Sequence, residues 1–151
     1  MNLMLNFWDL VSISELGVVL SPIYFYFQTT DPKHIIAILG TIVTAAIVES
    51  SKIYLFPFWS RPAGARGCDL LTIDGSAENK PGFPSGHSAM IAYFGAFYGL
   101  WNSPYFLMYV AAIAASRYFK RCHSIPQIVA GLILGVVLGI GAHYFVRPHK
   151  A

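Results

Sequence analysis

Five apolar segments, separated by short polar turns and one long polar loop, dominate the sequence. They cover residues 10–27, 34–58, 85–101, 104–117 and 125–146. A helix of about 20 mostly apolar residues crosses the roughly 30 Å hydrocarbon core of a bilayer. Charged residues make up only 11% of this chain, whereas a soluble domain has about a quarter. The sequence therefore predicts an all-α fold, a polytopic transmembrane helical bundle with one helix per segment.

The same composition excludes several classes of protein and bounds the number of domains. A chain of 151 residues is the size of one domain, so we expect a single integral-membrane domain over residues 1–151. Disordered and collagen-like chains are excluded by the high apolar content. A net charge of +3 gives no reason to expect a nucleic-acid partner. No Lys or Arg precedes the first apolar segment, so we expect that segment to belong to the mature protein rather than to a secretory signal.

The polar connections predict one chemically active membrane face. The third and fourth segments run across the bundle and back, so the long loop at residues 59–84 and the basic turn at residues 120–124 fall on the same side. Seven of the ten Lys and Arg residues lie on that side: Lys52, Arg61, Arg66, Lys80, Arg117, Lys120 and Arg121. Because three of them are candidate site residues, the positive-inside rule does not decide which compartment this face meets.

Three polar clusters on this side predict a site for a phosphoryl group. They are Lys52 with Arg61-Pro62, Pro84-Ser85-Gly86-His87, and Ser116-Arg117 followed after five residues by His123. Arg and Lys donate hydrogen bonds to oxyanions, and the beginning of a helix at Ser85 and Gly86 adds backbone N–H groups and a positive dipole end. One histidine can then attack phosphorus while the other protonates the leaving oxygen.

Two of these clusters resemble signature motifs of a known family. P-S-G-H at 84–87 and S-R-x5-H at 116–123 are similar to the second and third motifs of the type 2 phosphatidic acid phosphatase superfamily. That superfamily includes lipid phosphate phosphatases, polyprenyl diphosphate phosphatases, glucose-6-phosphatases and vanadium haloperoxidases. Its first motif is Lys, six residues, then Arg-Pro; here eight residues separate Lys52 from Arg61. The resemblance covers roughly residues 49–135.

The resemblance implies a metal-free phosphatase mechanism with no cofactor. His123 would be the nucleophile that forms a phosphohistidine, and His87 would be the general acid that later becomes the general base. The residues implied in holding the phosphoryl oxygens are Lys52, Arg61, Ser85, Gly86 and Arg117. The expected partners are the lipid bilayer and a phosphorylated lipid, such as phosphatidic acid or a polyprenyl diphosphate.

Position 127 departs from the usual family pattern. The family most often has Asp four residues after the histidine of the third motif, where it orients the imidazole, and this chain has Gln127. The stretch HSIPQIVAG resembles the glucose-6-phosphatase and dolichyl diphosphatase branches, which also carry Gln there. We expect the Gln127 amide oxygen to accept the Nδ1–H of His123 and to fix its tautomer, without supplying a negative charge.

Several alternatives stay open at this stage. The substrate could be a sugar phosphate, as the glucose-6-phosphatase likeness suggests, or the chain could be a non-catalytic relative that binds or moves lipid phosphates. Lys52 could be a snorkelling lysine paired with Glu49. The remaining basic residues of the active side, Lys120 among them, are expected to form a solvated fringe. Cys68 and Cys122 are expected to be unpaired thiols unless this side is oxidising.

Overall fold

A computed structural model describes residues 6–68 and 75–146 of the chain. Within these residues it contains five α-helices and no β-strand: α1 (Phe7–Thr29), α2 (Lys33–Ser50), α3 (Gly86–Tyr98), α4 (Pro104–Phe119) and α5 (Ile125–Val146). A π-helical turn, Ser51–Leu55, continues α2, and a 3-10 turn, Leu100–Asn102, follows α3. The predicted all-α bundle is confirmed, with one helix in each of the predicted segments.

Three of the helices are long and apolar enough to cross a membrane. They are α1, α2 with its π-helical turn (Lys33–Leu55), and α5. Their outer surfaces expose large apolar side chains, for example Leu20, Ile42 and Val137. The 13 residues of α3 reach only about 20 Å. This helix is buried on nearly every side, so it forms the centre of the bundle.

Glycines in α5 allow a close contact between its backbone and that of α3. A Cβ atom at Gly131 would lie 2.3 Å from the carbonyl oxygen of Ser85, and one at Gly135 would lie 2.1 Å from that of Ala89. Any side chain at these positions would force α5 away from α3. The contact holds the two helix beginnings together, and the Ser85 N–H donates to the carbonyl oxygen of Gln127 at 2.9 Å.

The long loop is fastened to the bundle at several points. Isolated antiparallel bridges join Ser60 to Pro81 and Arg66 to Ser76. Cys68 and Cys122 form a disulfide bond across a sequence separation of 54 residues, so the expectation of unpaired thiols was wrong. The bond ties the loop to the basic turn that carries His123.

The basic turn is also tied to the beginning of α1. The Lys120 ammonium lies 2.8 Å from Asp9 Oδ1, and it donates to the carbonyl oxygen of Gly67 at 2.8 Å. Its side chain is 8% exposed, so Lys120 is a buried link between α1, the loop and the turn. The expectation that it belongs to a solvated fringe was wrong.

Candidate active site

The predicted residues converge on one face of the bundle, where the long loop and the basic turn meet the end of α2 and the beginning of α3. A cavity of about 310 Å³ lies there. Its lining includes Lys52, Arg61, Gly86, His87 and His123. Five of the predicted site residues, taken from all three sequence clusters, therefore surround one space.

Lys52 reaches this cavity although its spacing to Arg61 is longer than the family motif. It belongs to the π-helical turn at the end of α2, and such a turn changes the direction in which side chains project. Its side chain is 7% exposed and forms an ion pair with the exposed Glu49. A Cβ atom at Gly86 would lie 3.9 Å from the Lys52 ammonium. The lysine therefore lies next to the beginning of α3 as well as being paired with Glu49.

Arg117 and Ser85 lie behind the cavity lining rather than on it. Arg117 is fully buried; its guanidinium donates to the Ser12 hydroxyl and, at 2.8 Å, to the carbonyl oxygen of Cys68. Ser85 is the N-cap of α3, and its hydroxyl oxygen accepts a hydrogen bond from Ser88 Oγ at 3.0 Å. Because the Ser85 N–H already donates to the Gln127 carbonyl oxygen in α5, the hydroxyl is the Ser85 group that can donate a hydrogen bond to another partner.

One ring nitrogen of His123 is hydrogen-bonded to the protein backbone. Its side chain is almost fully buried, and Nδ1 lies 2.8 Å from the carbonyl oxygen of Gly82. A carbonyl oxygen only accepts, so this contact assigns the proton to Nδ1 and leaves the Nε2 lone pair available for attack on phosphorus. Burial, followed by the positive charges of Arg117, Arg61 and Lys52, holds the pKa of His123 well below its usual value of 6.5. The imidazole is therefore neutral, as a nucleophile must be, at neutral pH.

The acceptor of the His123 proton is not the one that the sequence predicted. Gln127 Oε1 accepts from the Ser124 N–H at 2.9 Å, and Gln127 Nε2 donates to the carbonyl oxygen of Ser60 at 3.0 Å. The expectation that the amide oxygen of Gln127 bonds to Nδ1 was therefore wrong in its geometry. The same amide lies 3.2 Å from where a Cβ of Gly82 would be, so Gln127 supports the loop that presents the Gly82 carbonyl.

His87 occupies the first turn of α3 and meets a carboxylate from α1. Its Nε2 lies 3.9 Å from Oε2 of Glu15, and both side chains are buried. The sequence pattern gave Glu15 no role, because a single acidic residue in an apolar segment does not show what it faces. One feature of the sequence could have pointed to Glu15. Burying a charge in a membrane helix is costly, so acidic residues there are rare unless they are paired or functional.

Comparison with known proteins agrees with these motifs. Residues 33–151 match the model of the PAP2 superfamily. No match was found among curated proteins or solved structures. The family match covers well over half of the chain and includes all three motif clusters that surround the cavity. The chain therefore belongs to the PAP2 superfamily.

Proposed function

We propose that this member of a phosphatase superfamily hydrolyses a phosphate monoester or diphosphate of a membrane lipid through a phosphohistidine. The observation that carries the lipid assignment is the composition of the cavity wall. Beside the cationic groups, the wall contains Ala45, Val48 and Met90 from α2 and α3. These apolar side chains share one cavity with the cationic groups, so the wall suits a phosphorylated headgroup that is joined to an apolar chain.

The first half of the proposed reaction transfers the phosphoryl group to the protein. Nε2 of His123 forms a bond to phosphorus while the bond from phosphorus to the leaving oxygen breaks and that oxygen keeps the electron pair. His87 gives a proton to the leaving oxygen. Lys52 and Arg61 on the cavity wall stabilise the charge that spreads over the phosphoryl oxygens, and the buried Arg117 adds its positive charge from behind the wall. The Gly86 N–H and the Ser85 hydroxyl complete this cradle at the beginning of α3.

The second half returns the protein to its starting state. A water oxygen attacks phosphorus, the bond between nitrogen and phosphorus breaks, and its electron pair returns to His123. His87, now neutral, accepts the proton of the attacking water. The carbonyl oxygen of Gly82 keeps its bond to Nδ1 of His123 through both halves and favours the positive charge of the phosphorylated ring.

A phosphate-release panel tests this function and its alternatives. Detergent-solubilised protein is assayed with EDTA present on phosphatidic acid, phosphatidylglycerol phosphate, a polyprenyl diphosphate and a sugar phosphate. We expect a lipid substrate to give the highest kcat/KM, because only a lipid fills both the cationic and the apolar part of the cavity. A preference for the sugar phosphate would favour the glucose-6-phosphatase type of activity, and no release from any substrate would favour a non-catalytic binder.

We also propose that the active face meets an oxidising compartment. Disulfides persist outside the reducing cytosol, and the bond between Cys68 and Cys122 lies on this face. We expect a cysteine placed at the exposed Glu78 (E78C) to react with a membrane-impermeant maleimide in intact cells. The matched variant Q28C, at the far end of α1, should react only after permeabilisation. The opposite pattern would place the active face in the cytosol.

A further inference from the structure

The first helix presents a buried polar stripe to the active face. Asp9, Ser12 and Glu15 are buried and recur at three-residue intervals, so they project from one side of α1. Asp9 pairs with Lys120, and Ser12 accepts from Arg117. Residues 7–29 lie outside the part of the chain that matches the family. The stripe is therefore a feature of this chain that the family match does not account for.

Glu15 is the most buried residue of the stripe, and hydrogen bonds within the described residues do not account for its burial. Its side chain is completely buried, and neither carboxylate oxygen accepts a hydrogen bond from the part of the chain that the structure describes. A buried carboxylate without hydrogen bonds is costly unless a nearby charge compensates for it. Two groups face it: the Arg117 guanidinium from α4, whose positive charge acts on the carboxylate, and the imidazole of His87, with 3.9 Å between Glu15 Oε2 and His87 Nε2.

The surroundings of His87 show why a carboxylate is needed there. A general acid must carry a proton when the substrate arrives. His87 is buried, and the groups around it are the cations Arg117 from α4, Lys52 from the π-helical turn and Lys120 from the basic turn, together with the titratable ring of His123. Burial and positive neighbours both disfavour an imidazolium. The Glu15 carboxyl faces His87 from α1, and in its ionised form it favours the protonated ring from a distance of 3.9 Å.

We propose that Glu15 is a positioning residue that favours the protonated form of His87, which is the form that donates the catalytic proton. This proposal rests on the proposed phosphatase reaction. The pair of Glu15 and His87 holds one proton in the resting protein. His87 passes that proton to the leaving oxygen in the first half of the reaction, and the carboxylate and the neutral imidazole then remain. The attacking water returns one proton to the pair in the second half, so the pair ends as it began.

The substitution E15Q tests the proposal because it removes the charge and keeps the shape. An alkyl phosphate needs its leaving oxygen protonated, whereas p-nitrophenyl phosphate does not. We expect E15Q to lower kcat by about 10²-fold on the alkyl phosphate and by less than about 5-fold on the aryl phosphate, with little change in KM. Adding E15Q to H87A should cause no further loss, since both changes remove the same proton. The exposed Glu78 gives a matched control, E78Q, which should leave both rates unchanged.

A purely structural role predicts a different pattern and would overturn the proposal. In that case E15Q would lower the two rates equally, or would lower the thermal unfolding temperature without any dependence on the leaving group. E15D, which keeps the charge on a shorter side chain, should restore part of the alkyl phosphate rate. Equal rates for E15Q and E15D would also contradict the proposal.

A titration of the histidine rings tests the pairing without catalysis. In protein with isotope-labelled histidine, H87A identifies the His87 signal among the five histidines. We expect E15Q to move the protonation midpoint of His87 to lower pH by about one unit or more, while E78Q leaves it in place. An unchanged midpoint would overturn the proposal even if the wild-type protein released phosphate. Conversely, a shifted midpoint in a protein without phosphatase activity would leave the pairing intact and refute the proposed function alone.

Discussion

Replacement of His123 by alanine (H123A) is expected to abolish phosphate release, with a loss of about 10⁴-fold or more in kcat. Without Nε2 no bond to phosphorus forms, and water would have to attack the substrate directly. The cations of the cavity would still bind the phosphoryl group, so KM should change far less than kcat. The measurement is phosphate release from the best substrate of the panel at saturating concentration.

The chain offers a matched control for this substitution. His143 in α5 also has its Nδ1 on a backbone carbonyl oxygen, that of Phe97, at 2.7 Å, but it lies at the opposite end of the bundle. H143A therefore removes the same kind of hydrogen bond and should keep most of the activity. If H123A kept a comparable rate, the nucleophile would have to be another group.

A trapped intermediate would add evidence that rates alone do not give. A phosphohistidine is labile in acid and stable in alkali, unlike a phosphoserine. Brief incubation with radiolabelled substrate followed by alkaline denaturation should leave label on the wild-type protein and none on H123A. Label on H123A would assign the phosphoenzyme to a different residue.

The helices could be predicted from the sequence because their signals are local. Residues 104–117 and 125–146 are bounded by Pro, Ser and charged turns, and the structure begins and ends its helices within about two residues of them. The convergence of the motifs was predictable for a similar reason. With one helix in each apolar segment, the order of the segments alone brings His87 and His123 to the same face.

What the sequence did not show depends on contacts between distant segments. The Nδ1 partner of His123 is a backbone carbonyl, at Gly82, and any residue type has such a group. The position of Lys52 depends on a π-helical turn, which has no distinct sequence signal. The pairing of Cys68 with Cys122 depends on where the loop folds back onto the basic turn. Glu15 acquires a partner only when α1 packs beside α3 and α4.

The second large effect is expected from H87A, and its size should depend on the leaving group. Without a proton donor, an alkoxide has to depart as an anion, and general acid catalysis typically contributes about 10² to 10⁴-fold to such a step. We therefore expect H87A to lower kcat on an alkyl phosphate by about 10³-fold. On p-nitrophenyl phosphate, whose phenolate leaves readily, the loss should stay within about 10-fold in the transfer half of the reaction. Single-turnover measurements separate that half from the later hydrolysis.

This dependence distinguishes the roles of the two histidines in a way that a simple loss of activity cannot. H123A should impair both substrates to the same degree, because the bond to phosphorus is needed whatever the leaving group. H34A is the matched control for H87A, since His34 is also a buried histidine, hydrogen-bonded to Tyr98 at the opposite face of the bundle. Equal losses of H87A on both substrates would refute the general acid role.

H87A should also lose the phosphoenzyme more slowly than the wild-type protein, because the same imidazole accepts the proton of the attacking water. Rapid loss of the label would assign that step to another base.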